Sequence, residues 1–260
     1  MPFVRYGALR CFSFGIFPDS ISHAVFSRHG GVSPAPWDSL NLGSTVGDDP
    51  ERVRQNRRRA FEAFDRPFDS IFDAWLVHGT HALCATEPRR GDVETQKADI
   101  ILTDRPEVTL FMRFADCVPI LFHDPVHRVV GIAHAGWKGT VHGAARAAVQ
   151  AMQKNYGCRP ADILAAIGPS IGPDHYEVGP DVIGQVRSVF GEAGGQFLRQ
   201  VGDGIHFDLW AANEWFLRRA GVEQIETAGL CTLCHQDDWF SHRGGKGRTG
   251  RFGVLMALRS

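Results

Sequence analysis

The sequence predicts an α/β or α+β chain, and three observations predict it. Short apolar runs bounded by turn residues recur along the chain. Longer segments with helical spacing are interleaved with them. No internal repeat or low-complexity linker interrupts the series. Strands and helices that mix throughout, rather than segregating, mark this class. At 260 residues the chain is long enough to bury a sizeable core.

The elements follow in order. A strand is expected over Ala24–Ser27, ending in the turn-rich loop Arg28-His29-Gly30-Gly31-Val32-Ser33-Pro34, where Gly-Gly and Ser-Pro punctuate the chain. Asp49–Phe64 reads as a helix with Pro50 in its first turn, Asp48 or Asp49 as cap, and a solvated Arg-rich face. Strand candidates then crowd together at Ala74–Val77, Ile100–Leu102, Val108–Phe114, Ile120–Phe122 and Val129–Ala133. The Ala-rich stretch Thr140–Tyr156 predicts a helix that stops at Gly157. Ile163–Ile167 is a strand leading into the rigid loop Gly168-Pro169-Ser170-Ile171-Gly172-Pro173. Helices are expected over Asp181–Phe190 and Leu209–Ala220, and a strand over Gln224–Ala228. The tail Cys231–Arg251 reads as a polar loop, and Phe252–Leu258 as a final strand.

Composition excludes several roles. A net charge of -1 gives no bulk field for nucleic acid or an acidic membrane, so an anionic substrate must be held by a local cluster. No apolar run approaches the ~18 residues of a membrane span. Met1-Pro2-Phe3-Val4-Arg5 does not open a signal peptide, because Ser13, Gly15 and Pro18 cut the apolar stretch behind it; a cytoplasmic protein is expected. The six cysteines are irregularly spaced, which favours free thiols over a disulfide framework. Nothing in the sequence signals an oligomeric state.

Three strings carry chemistry: Leu76-Val77-His78-Gly79, Ala115-Asp116-Cys117-Val118-Pro119, and His134-Ala135-Gly136-Trp137-Lys138-Gly139. Each puts a His or Cys where an apolar strand meets a small-residue turn, a position fixed by a sheet yet open at its rim. His78, Cys117 and His134 suit zinc, with a fourth position left for water or substrate as in catalytic sites. Two other readings of the same residues stand beside it. Singly, each is the kind of residue that packs in a core, and Cys117 with His134 or His78 forms a metal-free nucleophile pair.

The string Cys231-Thr232-Leu233-Cys234-His235 formally matches haem attachment, which needs an exported protein. A zinc half-site there would need a second ligand pair, and none lies nearby in sequence, so loop thiols are expected. Anion-binding candidates are Arg28, ahead of Gly30-Gly31, and the Arg243–Arg251 stretch, in which Arg243 and Arg248 stand among glycines. The stretch does not match a phosphate-binding Walker motif, and taken alone a solvated basic loop fits it as well.

Together these strings resemble the bacterial YfiH/YlmD family, also described as multicopper polyphenol oxidoreductase (laccase-like) or DUF152, with a human relative called FAMIN. The likeness runs along nearly the whole chain. It includes Ser27–Ser33, Ser39-Leu40-Asn41-Leu42-Gly43, Val46–Pro50, Asn56-Arg57 and Ala98-Asp99, besides the three strings above. It continues through Ile167–Pro173, His175–Gly179, Phe207–Trp210 and Thr249-Gly250-Arg251. The resemblance implies a single domain over residues 1–260, built as stacked α-β-β-α layers with mixed sheets. It implies a metal, zinc or alternatively copper, on His78, Cys117 and His134. It further implies phosphorolysis of adenosine, inosine and methylthioadenosine, with adenosine deamination beside it, so that purine nucleosides and phosphate are the expected ligands. The chain departs from the usual pattern at Leu76 (commonly Gln), Phe114 (commonly Thr), Ser170 (frequently Cys) and His242 (commonly Tyr).

Within that reading, Arg28, Arg243 and Arg248 are candidate phosphate clamps and Asn41 a ribose or base contact. Deamination needs a carboxylate acid/base beside the metal; no Glu adjoins the ligand strings, and Asp116 is the candidate. Three competing functions are a copper phenol oxidase, a metal-free amide hydrolase using Cys117 and His134, and a zinc-stabilised binding module. Only two of the twelve histidines sit in strong strings, which speaks against a four-copper cluster.

Overall fold

The computed structural model describes residues 3–91 and 94–259; Met1 and Pro2, where the N-terminal reading begins, lie outside them. In chain order the strands are β1 (Phe3–Tyr6), β2 (Leu9–Phe12), β3 (Ile21–Phe26), β4 (Ile71–Phe72), β5 (Ala82–Cys84), β6 (Ile100–Thr103), β7 (Thr109–Phe114), β8 (Val118–Asp124), β9 (Val129–Ala135), β10 (Leu164–Ile167), β11 (Leu198–Val201), β12 (Gly204–Phe207), β13 (Gln224–Thr227) and β14 (Phe252–Leu258). The helices are α1 (Pro50–Glu62), α2 (Trp137–Val141), α3 (Ala144–Tyr156), α4 (Pro180–Phe190) and α5 (Leu209–Arg219).

Two six-stranded mixed sheets result, ordered β1-β2-β3-β14-β7-β4 and β13-β10-β8-β9-β6-β5, with β11-β12 as a separate hairpin. Alternation along the strands builds the layers. In β14, Phe252, Val254 and Met256 enter one core and Leu255 another. The first core lies between the sheets, where those residues and Leu110, Met112 and Phe114 of β7 meet Leu121, Val130 and Ile132 of the other sheet. Outside the first sheet, Leu255 and Phe111 pack on Ala60 and Phe61 of α1. Outside the second, Ile120, Phe122 and Ala133 pack on the Ala-rich face of α3 and on α5. The order is α-β-β-α, as the resemblance implies.

Local chemistry explains the boundaries. Asp49, not Asp48, caps α1: its carboxylate accepts from the N–H groups of Glu51 and Arg52 at 2.8 and 3.3 Å, with Pro50 first in the helix. The helix expected over Thr140–Tyr156 starts earlier and is two helices, because Gly143 sits at φ 78° and breaks it; Gly157, at φ 74°, closes α3 as expected. The strand expected over Ala74–Val77 does not form. Only Trp75 bridges, to Lys97, because the N–H groups of Val77, His78 and Gly79 are taken by the side chain of Asp99. Among the described residues no helix is long and apolar enough to cross a membrane.

Candidate metal centre

Antiparallel pairing of β8 with β9 sets Val118 opposite Ala135, so Cys117, at the mouth of β8, lies beside Gly136, just past the end of β9. In β9, Val130 and Ile132 face the inter-sheet core, and His134 continues their row; its ring lies 5.4 Å from that of Phe114 across the layer. His78 reaches the same point from its loop, its ring 4.9 Å from that of His134. The ligand atoms of His78, Cys117 and His134 all fall within 4.8 Å of one another. The structure therefore brings together the three residues singled out in sequence.

Asp99 organises them. Its Oδ1 accepts from Nδ1 of His134 at 2.8 Å and from the N–H of His78 at 2.9 Å, and its Oδ2 accepts from Gly79 at 2.7 Å. Its own carbonyl accepts from the N–H of His134 at 2.7 Å. With Nδ1 engaged, the Nε2 edge of His134 is left to face Cys117. Burial works against the Asp99 carboxylate, but the His134 hydrogen bond and the N–H donors outweigh it and hold its pKa below the ordinary range. Burial likewise opposes the Cys117 thiolate; the charge and hydrogen bond of His134, with help from His78, overcome it and bring the thiol down to about 6. The same pairing, with Asp99 behind it, lifts His134 to about 9 against its own burial.

A metal ion fits these residues. Thiolate and imidazole are soft and borderline donors, and they converge on one point. Gly136 keeps that point open: a Cβ there would come 2.8 Å from Nδ1 of His78 and 3.0 Å from Sγ of Cys117. Two left-handed non-glycine residues, His78 at φ 60° and Asp116 at φ 81°, flank the site, and strain of this kind is held only where neighbours enforce it. Asp99 enforces it at His78. At Asp116 the enforcers are Thr232, whose hydroxyl donates to Oδ1 at 2.6 Å, and the N–H of Arg243, which donates to Oδ2 at 2.7 Å.

Two hollows flank the triad. The larger, about 540 Å³, is lined by His78, Cys117 and His134 at its floor and by Arg57, Arg89, Arg113 and Arg251 on its walls. Asp73 pairs with Arg89 at 2.6 Å and Arg113 at 2.9 Å, so one carboxylate answers four cations. The Arg57 guanidinium is pushed down to about 10 by burial, with the charges of Arg113 and Arg89 adding to the effect and Asp73 opposing it. An anion entering this hollow relieves that repulsion. The smaller hollow, about 270 Å³, runs from His78 and Cys117 past Trp137, Tyr176 and Leu209.

Of the other expected binding residues, Asp116 alone lines one of the two hollows. Arg28 spends its guanidinium on the Asp38 carbonyl and carboxylate and the Gln236 carbonyl, and stacks on Phe240 at 4.7 Å. Asn41 is fully buried, its amide bonded to the Gly43 carbonyl, Asp48 and the N–H groups of Gly43 and Arg251, so it shapes a loop instead of meeting a ribose. Arg248 is exposed and away from both hollows. Arg243 lies over Tyr176 at 5.4 Å and donates to the Glu177 carbonyl at 3.2 Å, behind the smaller hollow. Asp116 lines that hollow, but with both oxygens accepting it is a scaffold for the Cys117 turn, not a free acid/base. Asp99, Arg57, Arg89 and Arg113 are site residues to which sequence reading attached no role, although Arg57 and Asp99 stood inside resembling motifs; Arg251 lay in the Arg243–Arg251 anion-binding stretch without being singled out. Leu76, Phe114 and His242, three departures from the usual pattern, all line the larger hollow.

Comparison with known proteins agrees with this architecture. A protein called purine nucleoside phosphorylase from Deinococcus radiodurans is 38% identical over 92% of this chain and 90% of its own length. Another, purine nucleoside phosphorylase YfiH from Escherichia coli, is 36% identical over 93% of this chain and 95% of its own. The crystal structure of YlmD from Geobacillus stearothermophilus superposes with a TM-score of 0.93 at 34% identity, covering 100% of this chain and 99% of that one. The model of one family, multi-copper polyphenol oxidoreductase laccase, matches residues 22–259. Covering most of the chain and every residue of the centre, that match makes the chain a member of the multi-copper polyphenol oxidoreductase laccase family, alongside YfiH and YlmD.

Proposed function

We propose that this chain is a zinc-dependent purine nucleoside phosphorylase acting on adenosine, inosine or methylthioadenosine. The observation that carries the reading is the arginine-walled hollow opening on the His78, Cys117 and His134 centre. Relatives along the whole chain bear the name purine nucleoside phosphorylase, which supplies the substrate class. Phosphate is held by Arg57 and Arg251, while the paired Arg89 and Arg113 keep the wall cationic. The base lies in the smaller hollow against Tyr176 and Trp137. A phosphate oxygen bonds to ribose C1′ as the C1′–N9 bond breaks; the bonding pair leaves with the purine, which takes up a proton. Bound zinc supplies a Lewis acid for developing negative charge. The donor set of two imidazoles and one thiolate favours zinc over a four-copper cluster; adenosine deamination, which the resemblance also implies, would need an acid/base other than Asp116, whose two carboxylate oxygens are engaged.

The test is incubation of the zinc-loaded protein with adenosine, with and without phosphate. Adenine and ribose 1-phosphate are expected only with phosphate, inosine marks deamination, and His78→Ala abolishes both. Absence of any phosphate-dependent base release overturns the reading. Repeating the assay with copper and a phenol separates the oxidase alternative.

A further inference from the structure

A second cluster of soft ligands lies away from the centre just described. Cys231 and Cys234, separated by two residues, approach His175, more than fifty residues earlier in the chain. Nδ1 of His175 is 3.8 Å from Sγ of Cys231 and 3.4 Å from Sγ of Cys234. All three ligand atoms lie within 4.8 Å of one another. Tetrahedral zinc, with its usual bond lengths to sulfur and nitrogen, separates such ligands by about 3.6 Å. The observed spacings bracket that value. His175, delivered by the fold, supplies one ligand of the second pair that the Cys-x-x-Cys half-site lacks in sequence.

Further features suit an ion. The N–H of Gly172 donates to Sγ of Cys231 at 3.2 Å and fixes the sulfur in place. Cys231 is buried while Cys234 and His175 are exposed, so the cluster is anchored in the core and open at its rim. A water can fill the fourth position at that open rim. A disulfide between the cysteines would leave His175 without a part in the arrangement.

We propose that His175, Cys231 and Cys234 form a second zinc site, distinct from the His78, Cys117 and His134 centre. Binding displaces the two thiol protons and leaves no redox change. The ion ties the turn after β10 to the tail loop, and both reach the main centre. Tyr176, next to His175, lines the smaller hollow; Thr232, next to Cys231, donates to Asp116, the neighbour of Cys117. The second ion therefore positions one wall of the main centre without sharing a ligand with it.

Zinc content per chain, measured on the full-length protein, Cys234→Ser, His175→Gln and Cys117→Ser, tests this. Cys234 and His175 are exposed, so their variants retain the fold. Wild type is expected to hold about two ions, and Cys234→Ser and His175→Gln about one each. Equal zinc in wild type and both of these variants overturns the proposal. So does a Cys231–Cys234 disulfide found by alkylation and mass spectrometry of protein kept anaerobic. The outcome is independent of the phosphorylase reading: if the main centre binds no metal, Cys117→Ser matches wild type while Cys234→Ser still loses an ion.

Discussion

Asp99 is the residue on which the centre turns. It contacts no substrate-facing hollow, yet its carboxylate fixes the ring of His134 and the left-handed backbone of His78 together. It is a positioning residue. Asp99→Asn removes the charge that holds the His134 ring, and metal affinity is expected to fall about 10–100-fold, measured by competition with a chromogenic chelator. Arg251 acts on the other side. Of the glycine-rich tail string, it alone among the arginines lines the larger hollow, so Arg251→Met is expected to raise KM for phosphate about 10–100-fold, the worth of a charge-assisted hydrogen bond, with a smaller effect on KM for nucleoside. Steady-state kinetics with each substrate varied in turn decide it. The triad was legible because each member sits in a local string at a strand end. The arginine wall was not, because Arg57, Arg89, Arg113 and Arg251 come from separate segments and meet only in the folded chain. Density of Arg and Gly pointed instead to Arg243 and Arg248. Anchoring of the tail to Asp116 and Asn41 turns those two away and Arg251 inward.

At the scale of elements, β3 carries a latent pH sensor. Its Ile21 and Val25 face the inter-sheet core, and alternation puts His23 in the same row, beside the rings of Phe14 and Phe17. Burial, with the charge of Arg259 adding to it, lowers His23 to about 4, and the Phe14 N–H donates to its Nε2 at 2.9 Å, which requires that nitrogen to be unprotonated. The folded chain therefore refuses a proton that the unfolded chain accepts at about 6.5. Stability is fully present above that value and falls as pH drops toward 4, by at most about 3 kcal/mol. Urea midpoints at pH 7.5 and 5 are expected to differ more for wild type than for His23→Gln; equal differences would remove His23 as the cause. Elements with long apolar patterns, β7, β8, β9 and β14, were readable from sequence. The short β4 and β5, the half-polar β2 and the exposed β1 and β11 were not, since two to four residues carry too little periodicity. The lost strand at Ala74–Val77 shows the converse: an apolar run whose N–H groups a distant carboxylate captures.

For the whole molecule, the two sheets share one core, and the centre sits where that core meets solvent. Cys117 lies in the short link that carries the chain from the first sheet into the second. Its ligand partners both belong with the second sheet or its loops, so metal binding couples folding of the crossing to the sheet it enters. Loading with zinc is expected to raise Tm, and chelation to lower it, in differential scanning calorimetry; Cys117→Ser should reduce the difference.

The position of β14 has a consequence of another kind. It follows every other strand in the chain, yet it lies inside the first sheet, hydrogen-bonded to β3 on one side and β7 on the other. Until it arrives, two apolar strands present bare edges and the inter-sheet core lacks Phe252, Val254 and Met256. The ribosome emits this central strand after both its neighbours. The partly made chain therefore carries a gap at the middle of its first sheet, with the bare edges that make a folding intermediate prone to aggregation.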